Sequence, residues 1–136
     1  MLGAQPLNGV IAGARWTGSH DVAAVATSTD RGKTWALVEV PESTGCVHMT
    51  LVPLGGPRIA AFFRRRQADY VYRTESADGG RTWSVPEATD VPNNNSAIQL
   101  LRLADGRLVL VFNDSSAERD QFRWVPDGKG GVRRKT

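Results

Sequence analysis

Ser28-Thr-Asp-Arg-Gly-Lys-Thr-Trp35 returns later in the same chain as Ser76-Ala-Asp-Gly-Gly-Arg-Thr-Trp83. Both copies fit Ser-x-Asp-x-Gly-x-Thr-Trp, and their aspartates, Asp30 and Asp78, stand 48 positions apart. A fixed spacing of this length marks a repeated structural unit. The residue types suit a tight turn: the carboxylate accepts turn N–H groups, the glycine permits positive φ, the threonine hydroxyl closes a local bond, and the indole folds back as an apolar wedge. Ser28, Asp30, Gly32, Thr34 and Trp35, with Ser76, Asp78, Gly80, Thr82 and Trp83, therefore read as scaffold.

The flanking segments say what is repeated. Residues 21–27, 47–52, 58–63, 70–74, 97–102 and 107–112 are short, β-branched or aromatic, and bounded by Gly, Pro, Asn and Asp. They read as strands, and no window carries helical periodicity with caps, so the chain is all-β. In the complete unit the first strand spans Val47 to Leu54, the second Arg58 to Arg64, the third Asp69 to Ser76, and the fourth starts at Thr82. The octapeptide then joins strands three and four. Four strands in about 48 residues match blades of a β-propeller, each a four-stranded antiparallel sheet. The expectation is one partial propeller domain of about two and a half blades, with units at 1–42, 43–90 and 91–136. It opens on a second strand around Gly9 to Trp16. After Arg119 the pattern fades, and the basic tail reads as unstructured.

Composition narrows the function classes. The net charge of +3 comes from 17 basic and 14 acidic residues, with basic runs at Arg64–Arg66 and Arg133–Lys135 and near balance elsewhere. That distribution argues against nucleic acid. The single cysteine, Cys46, rules out an internal disulfide and reads as a small buried filler; no Cys/His spacing of the zinc type occurs, so no metal or cofactor is expected. No apolar run suggests a membrane partner or a signal peptide, which leaves the compartment open.

With two octapeptides at blade spacing, the chain resembles the sialidase-like propellers of the Asp-box, or BNR-repeat, type, in their bacterial form. The resemblance covers most of residues 20 to 114 and includes RIAAFFRRR, YRTESADGGRTWSVPEATDVPNNNSAIQ and LADGRLVLVFND. It implies that the boxes lie on the rim opposite a sugar pocket, that arginines hold the sugar carboxylate, and that the parent activity is glycoside hydrolysis. The residues depart from the family where a reaction is concerned. The only tyrosines, Tyr70 and Tyr72, fall in a third strand, whereas retaining sialidases use a tyrosine nucleophile. No aspartate takes the acid role, so no catalytic residue is assigned.

On this topology the loops facing away from the boxes hold the candidates. Arg64 and Arg66 point to one side of a strand end and Arg65 to the other, and a guanidinium grips a carboxylate bidentately; ion pairs with Asp69 or Glu75 are the structural alternative. Asn94, Asn95 and Ser96 suit sugar hydroxyls or an irregular loop held by Asx turns. His48 is a candidate acid, base or structural residue, and Asn113 completes the substrate-binding set. Three readings follow: an enzyme acting on an acidic sugar, a noncatalytic glycan-binding module, and an assembly module. An incomplete ring leaves blade faces uncovered, so the chain is expected to form a homo-oligomer or to be part of a longer chain.

Overall fold

The computed structural model describes residues 2–7, 10–16, 22–120, 123–126 and 132–135, with side chains over 22–120. Twelve strands are present among them: β1 Leu2–Leu7, β2 Val10–Trp16, β3 Ala23–Ser28, β4 Ala36–Glu39, β5 Cys46–Gly55, β6 Arg58–Arg65, β7 Tyr70–Ser76, β8 Glu87–Pro92, β9 Gln99–Arg102, β10 Leu108–Val111, β11 Arg123–Pro126 and β12 Val132–Lys135. They form two four-stranded sheets, β1-β2-β3-β4 and β5-β6-β7-β8, and two antiparallel pairs, β9-β10 and β11-β12. The fold is an incomplete all-β propeller.

Three details differ from the sequence reading. The first sheet is complete, because Leu2–Leu7 pairs with β2; its Gly3 and Pro6 break the β-branched pattern that marks the other strands. The fourth strand of the second sheet begins at Glu87, not Thr82. Thr82 and Trp83 are used inside the turn, and Pro86 has no N–H to give to a ladder. The basic tail is not structureless: Arg123–Pro126 and Val132–Lys135 pair across four registers.

β5 is the hub of the packing, contacting β1, β2 and β3 on one side and β9 on the other. Its side chains alternate between two clusters. Met49 and Leu51, with Ile59, Ala61 and Phe63 of β6 and Trp83, pack against Ala23, Val25 and Val40. Val52, with Ala60, Leu54 and Phe62, packs against Leu100 and Leu110 of the third sheet. Sheets therefore stack face to face, with the β5-β6 pair burying one face against the first sheet and the other against the third.

The two octapeptide turns share one hydrogen-bond pattern. Asp30 Oδ1 accepts the Thr34 N–H (2.8 Å) and Oδ2 the Thr34 hydroxyl (2.6 Å); Asp78 does the same with Thr82 (2.9 and 2.6 Å). Ser28 and Ser76 each donate to the aspartate and accept the N–H of the following Gly32 or Gly80. Those glycines sit at φ of 83° and 89°. The preceding position is also left-handed, but it is Gly79 in one copy and Arg31, φ 61°, in the other. A side chain there costs about 1 kcal/mol. Arg31→Gly is thus expected to stabilise the chain by no more than a few tenths of a kcal/mol, roughly, in urea unfolding, the left-handed strain being largely offset by unfolded-state entropy.

Candidate functional site

Strand register separates two rims. At one end of the second sheet Ile59 pairs with Ser76, and Gly79 donates its N–H to the Pro57 carbonyl, so the box turn sits there with the β5–β6 loop. At the other end Cys46 pairs with Arg65 and Tyr70 with Pro92, which brings the start of β5, the end of β6 and the β8–β9 loop together.

Arg64 is the centre of that second rim. One of its Nη groups donates to the Asn95 carbonyl and the other lies 3.4 Å from His48 Nε2. Both neighbours have left-handed backbones, φ 50° at His48 and 63° at Asn95. His48 owes this to a β-bulge: Val47 pairs with Arg64 and Thr50 with Phe62, so His48 and Met49 together oppose Phe63. Strained non-glycine residues gather where a side chain is being aimed. Arg64 forms no salt bridge among the described residues, and its Nε and the Asn95 Oδ1 are buried without a hydrogen-bond partner. Burial lowers the His48 pKa from its ordinary value, and the charges of Arg64 and Arg66 lower it further. The imidazole is neutral at pH 7, beside two guanidinium groups.

Arg65 points the other way. It donates to the Thr44 carbonyl (2.8 Å) and to Cys46 Sγ (3.6 Å), stacks 4.1 Å from the Tyr72 ring centroid, and pairs at 3.5 Å with Asp69. It is a structural residue. Burial pushes the Cys46 thiol up, which keeps it protonated.

The asparagine loop divides in the same manner. Asn93 is buried, and its Oδ1 accepts the N–H groups of Arg65 and Asn95 (3.0 Å each), so it pins the loop to β6. Asn94 accepts the Ser96 N–H (3.2 Å) in an Asx turn, and the Ser96 carbonyl takes the Asn93 amide. Asn95 is the residue of this loop whose carbonyl accepts a hydrogen bond from Arg64. Asn113 is exposed after β10, where its carbonyl accepts the Ser115 N–H, and nothing joins its side chain to the Arg64 group. Asp30 and Asp78, on the far rim, are held down to about 2 by the threonine hydroxyls and N–H groups of their own turns. An open cleft lined by Tyr70, Asp90, Pro92, Ser116, Glu118 and Arg119 lies beside the outer strands. Among the described residues no three His, Cys, Asp or Glu side chains converge as a metal centre requires.

Sequence reading missed the bulge at His48 and the pinning role of Asn93. The pair of Pro92 and the triple asparagine signals an irregular loop, but not which amide faces inward.

A family profile described as a BNR repeat-like domain matches residues 7–132. No curated protein matches the chain. Among solved structures it is similar to the K499G mutant of NanB sialidase from Streptococcus pneumoniae, with 20% identity, a TM-score of 0.66, and coverage of 93% of this chain and 21% of that one. It is also similar to a protein of unknown function from Dyadobacter fermentans, with 24% identity, a TM-score of 0.57, and coverage of 76% and 30%. The intramolecular trans-sialidase from Ruminococcus gnavus, solved with oseltamivir carboxylate, shows 21% identity, a TM-score of 0.55, and coverage of 74% and 22%. The chain thus spans about a fifth of the length of these sialidases.

Proposed function

The chain belongs to the BNR repeat-like domain family, and on that premise we propose that it is a carbohydrate-directed propeller unit that grips an acidic sugar on the rim opposite its Asp boxes. The carrying observation is Arg64, a partly buried guanidinium without a salt bridge among the described residues, held between two strained neighbours, His48 and Asn95. Such a group binds a carboxylate with charge-assisted hydrogen bonds, and Arg66 adds positive charge to the same side. One neighbour was solved with oseltamivir carboxylate and another, a NanB sialidase, with an ammonio-ethanesulfonate, each ligand carrying an acid group. In this reading the chain is one partial domain with blade units at 1–42, 43–90 and 91–136. Asn94 and Ser96 shape the loop, and Asn113 belongs to the next blade's rim.

Binding rather than hydrolysis is the function this chain's own residues support. Tyr72 is packed under Arg65, and Tyr70 lines the outer cleft, so neither stands beside Arg64 as a nucleophile.

His48 makes the test sharp. Without a ligand its pKa lies below the ordinary 6.5, through burial and the charges of Arg64 and Arg66. A bound carboxylate stabilises the imidazolium and raises that pKa, so binding takes up a proton. Affinity then climbs as pH falls through the bound-state pKa and levels off below the free-state one; each unit between them is worth tenfold. Calorimetry is expected to show sialic acid binding more tightly near pH 5 than near pH 7.5. The sugar stays ionised across this range, its uncharged methyl ester shows no such gain, and His48→Gln flattens the profile. Equal affinity for acid and ester would sink the anionic reading.

A further inference from the structure

We infer that Asn93 is the positioning residue of this rim: its buried side-chain oxygen fixes the Asn95 carbonyl and, through it, holds the Arg64 guanidinium beside His48 before any ligand arrives. The inference deepens the binding reading above and rests on it only where a sugar is concerned. Asn93 is 1% exposed, so it touches no ligand and acts through its neighbours.

The bonds around Asn93 close a ring that begins and ends on Arg64. Pairing of β6 with β7 ends at Phe63 and Tyr72. The Arg65 N–H lies beyond that ladder and donates to Asn93 Oδ1 at 3.0 Å, and the Asn95 N–H donates to the same oxygen at 3.0 Å. Both lone pairs of that oxygen are in use. The carbonyl of the same Asn95 accepts from the Arg64 guanidinium, and Arg64 is one peptide from Arg65. Asn93 is itself anchored from outside the ring: its backbone N–H donates to the Asp69 carbonyl at 3.0 Å, and its Nδ2 to the Ser96 carbonyl at 3.3 Å.

What the ring holds has little else to hold it. Asn95 sits at φ 63°, a strained backbone that persists only where its surroundings impose it. Arg64 forms no salt bridge among the described residues, and its other neighbour, His48 Nε2, is 3.4 Å away. Without the Asn93 oxygen two N–H groups lose their acceptor, the Asn95 carbonyl turns, and the guanidinium is free to swing. A carboxylate would then have to immobilise a long side chain that the folded protein now immobilises in advance.

The experiment is a double-mutant cycle on the full chain, Asn93→Ala with Arg64→Ala, read by NMR titration of the His48 ring without ligand. Burial, then the charges of Arg64 and Arg66, depress the His48 pKa. Asn93→Ala is expected to raise it as Arg64 moves off, Arg64→Ala to raise it as well, and the double variant to match Arg64→Ala alone. An unmoved pKa in Asn93→Ala overturns the inference, and so does a further rise in the double variant, which would mean a general loosening of the rim. With sialic acid, Asn93→Ala is expected to lose roughly two- to tenfold in affinity, and nothing more once Arg64 is replaced. A wild type that binds no sialic acid but shows the expected ring titrations would sink the ligand reading and leave the positioning role standing. If Asn93→Ala does not fold, amide exchange on the wild type decides the matter: the Arg65 and Asn95 amides share one acceptor and are expected to exchange slowly together. Unprotected exchange at either amide overturns the inference.

Discussion

Replacing Trp83 by alanine is expected to cost about 3–5 kcal/mol in chemical unfolding, the range for deleting a large buried aromatic, while the same change at Trp35 costs roughly 1 kcal/mol or less. The two residues end octapeptides of the same pattern, and each indole N–H donates to its own box glycine carbonyl, Gly32 or Gly80. The difference is in what surrounds them. Trp83 is one member of the apolar cluster that joins the second sheet to Ala23, Val25 and Val40, so its loss opens a cavity between two sheets. Trp35 has solvent over it. Equal losses at both positions would mean that the turn, and not the packing between sheets, sets the cost.

The second large effect is on binding. Arg64→Ala is expected to weaken sialic acid binding about ten- to a hundredfold, since a hydrogen bond to a charged group is worth roughly 1.5–3 kcal/mol. Arg66→Ala produces a smaller loss that moderate salt erases, as befits a charge acting at longer range. Arg65→Ala behaves differently from both: it removes the bond to Thr44, the stack on Tyr72 and the pair with Asp69, and so lowers stability more than affinity. Calorimetry beside thermal unfolding separates the three. Comparable affinity losses at Arg64 and Arg65 would reduce the cluster to a diffuse basic patch.

What the chain makes legible is whatever repeats. The paired octapeptides, their 48-residue spacing and the short strands between them lead to blades, because turn chemistry and alternation are local and survive without knowledge of the neighbours. Contacts between units are not local, and there sequence reading stops. Nothing in Ser-x-Asp-x-Gly-x-Thr-Trp tells Trp35 from Trp83. The strand alternation that separates Arg64 from Arg65 was readable from the run of three arginines, yet the partners that make one a structural residue, Thr44 and Tyr72, come from other strands. His48 looked like an ordinary strand residue, since a bulge is set by the register of β5 against β6 and not by either strand alone. Leu2–Leu7 was hidden by its glycine and proline, and the tail hairpin by its basic composition.

The account's central claim is an anionic-sugar site centred on Arg64, on the rim away from the boxes. Backbone amide shifts during a sialic acid titration test it most directly. The account predicts that residues 47–49, 64–66 and 94–96 shift together along one saturation curve, that residues 28–35 and 76–83 stay still, and that the methyl ester moves neither group. Shifts centred on the box turns, or on the cleft beside Tyr70 and Glu118, would contradict it.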